Sequence, residues 1–294
     1  MSREAAPAPP GSPAPRPITV PDIRARKGAG PKIVMLTAYD HPAARILDAA
    51  GVDILLVGDS LGNNVLGYDS TLPVTMEEML HHTRAVRRGT RHALLVADMP
   101  YMSFQTGRRD ALRNAGRFLK EGGAAAVKVE GGRKRASLVR SLLDAEIPVM
   151  GHVGLTPQSV NVMGGYRVQG KRLDEARALV EDAVALEEAG VFAIVLEGVP
   201  EGVGRAVTEA VGVPTVGIGA GRFCDGQVLV FHDLVGLSEG PLPRFARRYA
   251  DLDLAIASAA RRFGDDVRAG AFPSESEVYT APQPFGPKAG SGAR

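Results

Sequence analysis

A closed α/β barrel of eight strand–helix units, the (β/α)8 TIM barrel, is the fold this sequence predicts, and three observations point to it. Apolar β-type runs alternate with longer amphipathic stretches along most of the chain. The runs are apolar throughout rather than at every second residue, the pattern of strands buried on both faces of a parallel sheet. Eight such units over about 230 residues suit closure into a barrel. The alternative, an open doubly wound sheet, would carry a dinucleotide fingerprint after its first strand, and Leu36-Thr37-Ala38-Tyr39-Asp40 contains no glycine.

Taken in order, the strands are expected at 33–36, 54–57, 93–97, 126–129, 148–151, 193–196, 215–218 and 228–231. Helices are expected at about 42–50, 76–88, 109–121, 134–145, 174–189, 202–211 and 243–264. Thr75 with Glu78 three residues on reads as a capping box, and Gly51, Gly89, Gly122 and Gly190 follow the apolar stripes as stop signals. Three connections exceed the usual short βα loop: 60–75, 151–172 and 219–227. All follow strand C-termini, the face on which barrels build their sites. The longest holds Gly164-Gly165-Tyr166 and reads as a lid.

Residues 1–17 contain six prolines among Ala, Gly and Ser, a composition that buries little, so a disordered tail is expected there and again over 281–294. One barrel domain, 18–280, lies between. With 35 Lys and Arg against 33 Asp and Glu, the net charge of +2 provides no general field for nucleic acid or an anionic membrane. No apolar run approaches the roughly 18 residues of a membrane span. A single cysteine, Cys224, excludes an internal disulfide framework and suits a reducing compartment; a cytoplasmic protein acting on small molecules is expected.

The chemistry gathers at the strand ends. The second, third, fourth and sixth apolar runs stop at Asp59, Asp98, Glu130 and Glu197. On adjacent staves Asp59, Asp98 and Glu130 would crowd together, and three carboxylates repel unless protonated or held by a cation. Oxygen donors alone favour Mg2+ over Zn2+. Taken singly, each acid could instead cap the following helix. Lys128 interrupts an apolar strand two residues before Glu130 and so points to the same side; it serves either as a buried ion-pair partner or as a clamp on an anionic substrate. Glu197 comes from the opposite side of the rim and suits a general base. His152 ends the fifth strand and could orient a ligand. The glycine turn Gly217-Ile218-Gly219-Ala220-Gly221 fails the phosphate-cradling spacing because position 222 is Arg.

These stretches resemble the ketopantoate hydroxymethyltransferase family. The likeness rests on Val57-Gly58-Asp59-Ser60-Leu61-Gly62, Val127-Lys128-Val129-Glu130-Gly131-Gly132, Gly151-His152-Val153-Gly154-Leu155-Thr156-Pro157-Gln158-Ser159-Val160 and Gly217-Ile218-Gly219-Ala220-Gly221, running in order through about 18–275. The resemblance implies a Mg2+-dependent barrel enzyme of pantothenate synthesis. It would transfer a hydroxymethyl group from 5,10-methylenetetrahydrofolate to 3-methyl-2-oxobutanoate, through a Mg2+-stabilised enolate, giving 2-dehydropantoate. By position it implies metal-linked acids at Asp59, Asp98 and Glu130, substrate contacts at Asp59, Ser60, Asp98 and Lys128, a general base at Glu197, and a homo-oligomer, often a decamer. Two departures stand out: 272–279 reads Phe272-Pro273-Ser274-Glu275-Ser276-Glu277-Val278-Tyr279 where the family commonly has a His, and Asn63-Asn64 replaces a more apolar pair. The rival readings are a Mg2+-dependent phosphoenolpyruvate or oxo-acid lyase or mutase, and a non-catalytic binding barrel. A reactive cysteine in the long loop would favour the lyase, and none is present.

Overall fold

The structure is a computed structural model that describes residues 16–279. The tails expected over most of 1–17 and over 281–294 lie outside the described residues. Eight parallel strands close into one barrel in sequence order, β8 pairing with β1. They are β1 (Ile33–Thr37), β2 (Ile54–Val57), β3 (Leu94–Asp98), β4 (Ala126–Glu130), β5 (Val149–Gly154), β6 (Ala193–Glu197), β7 (Thr215–Ile218) and β8 (Gly226–Leu229).

Around them, in chain order, lie α1 (Val20–Arg24), α2 (His41–Ala49), α3 (Leu61–Asn64), α4 (Met76–Gly89), α5 (Arg108–Arg117), α6 (Ala136–Asp144), α7 (Val160–Met163), α8 (Leu173–Ala189), α9 (Glu201–Ala210), α10 (Phe231–Val235) and α11 (Leu252–Arg268). The capping box forms as expected, Glu78 N–H donating to Thr75 Oγ1 and Thr75 N–H to Glu78 Oε2. The stop expected at Gly122 falls one residue later, at the left-handed Gly123, because the end of α5 winds into a π-helical turn, Phe118–Gly122, that takes up an extra residue. The helix expected at 243–264 begins only at Leu252. Residues 244–251 are instead drawn onto the barrel, the Tyr249 N–H donating to Leu234 O at 2.8 Å and Phe245 lying against Gly219. The eighth strand likewise starts two residues early, at Gly226, where pairing with Ile33 begins.

Strand alternation splits the core into two layers. Val127 and Val129 of β4 and Leu95 and Ala97 of β3 face the helices. Met35, Ile54, Leu94, Val96, Ala126, Met150, Val195 and Val216 fill the barrel interior, and Ile23 of α1 packs into the same cluster. Following the inward positions along each strand reveals a change of chemistry. Leu94 and Val96 are succeeded by Asp98, Ala126 by Lys128 and Glu130, Met150 by His152, and Ala193 and Val195 by Glu197. The interior is apolar through most of its height and charged at its C-terminal layer.

Candidate active site

Parallel register sets the height of each polar group. Asp98 pairs with Lys128, Glu130 with His152, and Gly154 with Glu197. Asp59 and Ser60 come from the first turn after β2, where the Asp59 N–H donates to Asp98 Oδ2 at 3.1 Å. Asp59, Asp98, Lys128, Glu130 and His152 are all buried, and Glu197 is only slightly more open.

Lys128 is the hub. Its Nζ lies 3.0 Å from Asp98 Oδ1, 3.9 Å from Glu130 Oε1 and 3.0 Å from His152 Nδ1. Burial pushes the ammonium's pKa down, but the charges of Asp98, Glu130 and Asp59 push it up further, so it stays a cation. For His152, burial and the Lys128 charge lower the pKa while hydrogen bonds to Glu130 and Glu197 raise it, to about 9. The short contact with Lys128 argues the other way, because a fixed ammonium at 3.0 Å needs an unprotonated Nδ1 to receive its proton. We read His152 as neutral on this geometric ground. Its proton then sits on Nε2, which is 3.2 Å from Glu197 Oε2 but makes no hydrogen bond of good geometry among the described residues.

The acids are not equivalent. Burial, followed by the charges of Asp98 and Glu130, raises Asp59 well above the ordinary carboxylate range. Burial also raises Asp98, although Lys128 opposes it. Against burial, the Lys128 charge and the Gln158 N–H favour the charged form of Glu130. Four carboxylates around one ammonium leave an excess of negative charge that a divalent cation would relieve. Asp98 Oδ1, buried beside Lys128, receives no hydrogen bond of good geometry among the described residues. Nor do any three His, Cys, Asp or Glu side chains among them form a ready metal cage. Oxygen-only donors with an incomplete shell fit Mg2+, which ordinarily keeps waters and substrate oxygens as ligands.

Two residues without a role in the sequence reading hold the site together. The Gln158 amide nitrogen donates to Asp59 Oδ2 at 2.8 Å and to Met99 O at 2.9 Å, while its backbone N–H donates to Glu130 Oε2 at 3.1 Å. It straps the loop after β5 across the rim. Tyr39, buried after β1, places its hydroxyl 2.9 Å from Ser60 Oγ. The only sequence signal for either was a polar residue inside an otherwise matching stretch; contact across β1–β2 or β2–β5 is not written in local spacing. Tyr166 of the long loop feels the rim as well: burial and then the charges of Asp59, Glu197 and Glu130 raise its phenol. The glycine turn after β7 stands apart, bordering a cavity with Lys32, Cys224 and Phe245 and no rim acid. Cys224 itself is buried, which pushes its thiol up and makes it a poor nucleophile.

Fold and rim together define a parallel-barrel protein with a charged, oxygen-rich site at the C-terminal ends of its strands. Residues 17–275 match the model of the family described as ketopantoate hydroxymethyltransferase. The chain is 56% identical over 266 residues to the 3-methyl-2-oxobutanoate hydroxymethyltransferase of Koribacter versatilis, covering 90% of each chain. It is 57% identical over 263 residues to that of Carboxydothermus hydrogenoformans, covering 90% of this chain and 95% of the relative. This chain therefore belongs to the ketopantoate hydroxymethyltransferase family. Among solved structures it is similar to a phosphoenolpyruvate phosphomutase from Streptomyces platensis, with a TM-score of 0.56, 15% identity and coverage of 86% and 88%. A 2,3-dimethylmalate lyase is similar too, with a TM-score of 0.57, 16% identity and 89% coverage of each chain. At such identities the likeness shows the shared barrel alone.

Proposed function

We propose that this chain transfers a hydroxymethyl group from 5,10-methylenetetrahydrofolate to 3-methyl-2-oxobutanoate, forming 2-dehydropantoate. The observation that carries the reading is the buried Asp59–Asp98–Lys128–Glu130 layer, with Glu197 3.2 Å from the adjoining His152, in a chain of this family. Asp59, Asp98 and Glu130 would hold Mg2+, which when bound polarises the 2-oxo acid and makes its C3 proton more acidic.

The residues of the chain then divide the work. The Lys128 ammonium provides the positive charge for the substrate carboxylate. Tyr39 donating to Ser60 Oγ would leave the Ser60 O–H free to donate to that carboxylate. Glu197 takes the C3 proton, and the buried His152 imidazole, its Nε2 3.2 Å from Glu197 Oε2, packs against that carboxylate. The new carbon–carbon bond forms between C3 and the donor's methylene carbon. Both C–N bonds to that methylene carbon break; one water is consumed, its oxygen becoming the product hydroxyl, and tetrahydrofolate leaves with a proton on each released nitrogen, one originating at C3 and one from the water. The loop over 151–172, expected to act as a lid, contributes Gln158 to the rim.

We propose further that the chain works as a homo-oligomer, a decamer by family resemblance, in the cytoplasm. Support for assembly comes from α11, which has no buried residue and carries Leu252, Ile256, Phe263 and Val267 along one exposed stripe. A monomer by light scattering at micromolar concentration would remove that part. The test of function is incubation with 3-methyl-2-oxobutanoate, 5,10-methylenetetrahydrofolate and Mg2+, following 2-dehydropantoate, together with exchange of the C3 proton into deuterated water. Product and metal-dependent exchange are expected, and Asp98→Ala should lose both. Undiminished exchange without divalent metal would sink the proposed chemistry.

A further inference from the structure

We infer that the cavity beside the Glu130–Gln158 end of the rim seats the carboxylate-bearing arm of the one-carbon donor, with the Arg135 guanidinium as its anion-binding group. The inference rests on the transferase reading above and adds the part of the chain that holds the folate.

The cavity measures about 270 Å³, and Glu130 and Gln158 belong to its wall, so it borders the charged rim directly. Tyr101 and Met102 supply apolar wall, 40% and 50% exposed respectively, and Lys134 and Arg135 add two cations. The cavity thus brings together the three kinds of surface the donor needs: the rim for its methylene carbon, an apolar wall for its aromatic rings and cations for its terminal carboxylates.

Arg135 is built for a partner it does not have. Its Nε is buried and without a hydrogen-bond acceptor among the described residues, while the side chain as a whole is half-buried, so that the rest of the guanidinium remains open to a ligand. A shielded donor left unmatched is costly, and native proteins seldom retain one without use. The guanidinium is held over the Phe104 ring, 5.1 Å from its centroid, so its direction is set before any ligand arrives. Burial lowers its pKa without threatening its charge. At Gly131 the backbone adopts φ +114°, and a Cβ there would stand 3.1 Å from both Arg135 Cγ and Lys134 Cε. The bare backbone lets both cationic side chains lie against the end of β4. On the facing wall Met102 has φ 64°, a left-handed conformation that a non-glycine residue adopts at a cost and that clusters at ligand sites.

The test uses full-length enzyme with Mg2+. Arg135→Met keeps the packing on Phe104 and removes the charge; Arg135→Lys restores charge without the planar fork. At saturating oxo acid, KM for 5,10-methylenetetrahydrofolate should rise about tenfold or more in Arg135→Met, as expected for a lost charge-assisted contact, with kcat within about threefold. It should rise further with Lys134→Met added, and fall part of the way back in Arg135→Lys. Tetrahydrofolate binding by calorimetry should weaken in parallel. Exchange of the C3 proton, which uses no folate, reports whether the rim is intact. Wild-type enzyme that is active, with KM and tetrahydrofolate affinity unchanged in the double variant, overturns this inference alone. Wild-type enzyme that yields no 2-dehydropantoate overturns the transferase reading and this inference with it.

Discussion

Replacing Gln158 by Met should show how much the rim depends on one strap. The substitution keeps length and apolar volume but removes the amide that donates to Asp59 Oδ2 at 2.8 Å and to Met99 O at 2.9 Å. The main-chain bond from residue 158 to Glu130 survives, so the loss is confined to two acceptors. A hydrogen bond to a charged acceptor contributes about 1.5–3 kcal/mol and a neutral one about 0.5–1.5 kcal/mol, so the expected destabilisation is about 2–4 kcal/mol. Both acceptors are in a buried layer, where water cannot readily replace the lost donor. Activity should fall as well. Asp59 is already pushed towards its protonated form by burial and by Asp98 and Glu130, and losing a donor that favours the charge pushes it further. Urea unfolding of wild type and variant, at equal protein concentration, measures the first effect. Initial rates of 2-dehydropantoate formation measure the second, with a loss of about tenfold or more expected from a misplaced rim group. Stability within 0.5 kcal/mol of wild type, with unchanged rates, would refute the strap.

Glu197→Gln should fold normally and turn over at least about 10²-fold more slowly, as expected when a general base is lost; rates near wild type would remove Glu197 from the mechanism. Gly154→Ala should lower the urea midpoint and the activity together, because φ is +99° and the added Cβ would lie 2.2 Å from the Glu197 carbonyl oxygen. A wild-type midpoint would show that β5 and β6 can separate freely there. Asp225 provides a pH test. Burial raises its pKa, but donors from Thr215, Lys27 and Gly28 outweigh burial and hold it below the ordinary value. A carboxylate depressed by folding stabilises the fold above its unfolded pKa of about 3.9 and ceases to do so as pH falls through the lower folded value. The melting temperature of Asp225→Asn should therefore lie below wild type by a constant amount near neutrality and converge with it in acid. A gap that widens below pH 4 would contradict the sign.

How much was legible varied with the kind of interaction. Strands such as 54–57 and 215–218 could be read to the residue, because apolar runs bounded by turn residues report burial on both faces locally. Asp98, Glu130 and Glu197 were visible as charges ending apolar runs, although each proves to be the last residue of its strand rather than the first of the loop. The start of α11 was misplaced because the apolar residues of 243–251 looked continuous with it, whereas tertiary contacts keep that stretch irregular, Phe245 lying against Gly219 and the Tyr249 N–H donating to Leu234 O.

The sequence by itself determined the barrel, its polar C-terminal layer and the family, since periodicity, strand-end acids and motif order are properties of neighbours along the chain. Only the tertiary structure decided which of those charges meet. Strand register sets Asp98 against Lys128 and Glu130 against His152, and the loop after β5 returns to place Gln158 between Asp59 and Met99. Residues 59 and 158 are 99 positions apart, and only closure of the barrel brings them within hydrogen-bond distance. The same closure sets the direction of the His152 proton, the unmatched Arg135 and the cavity between Tyr101 and Gln158, because each depends on distances across the barrel mouth.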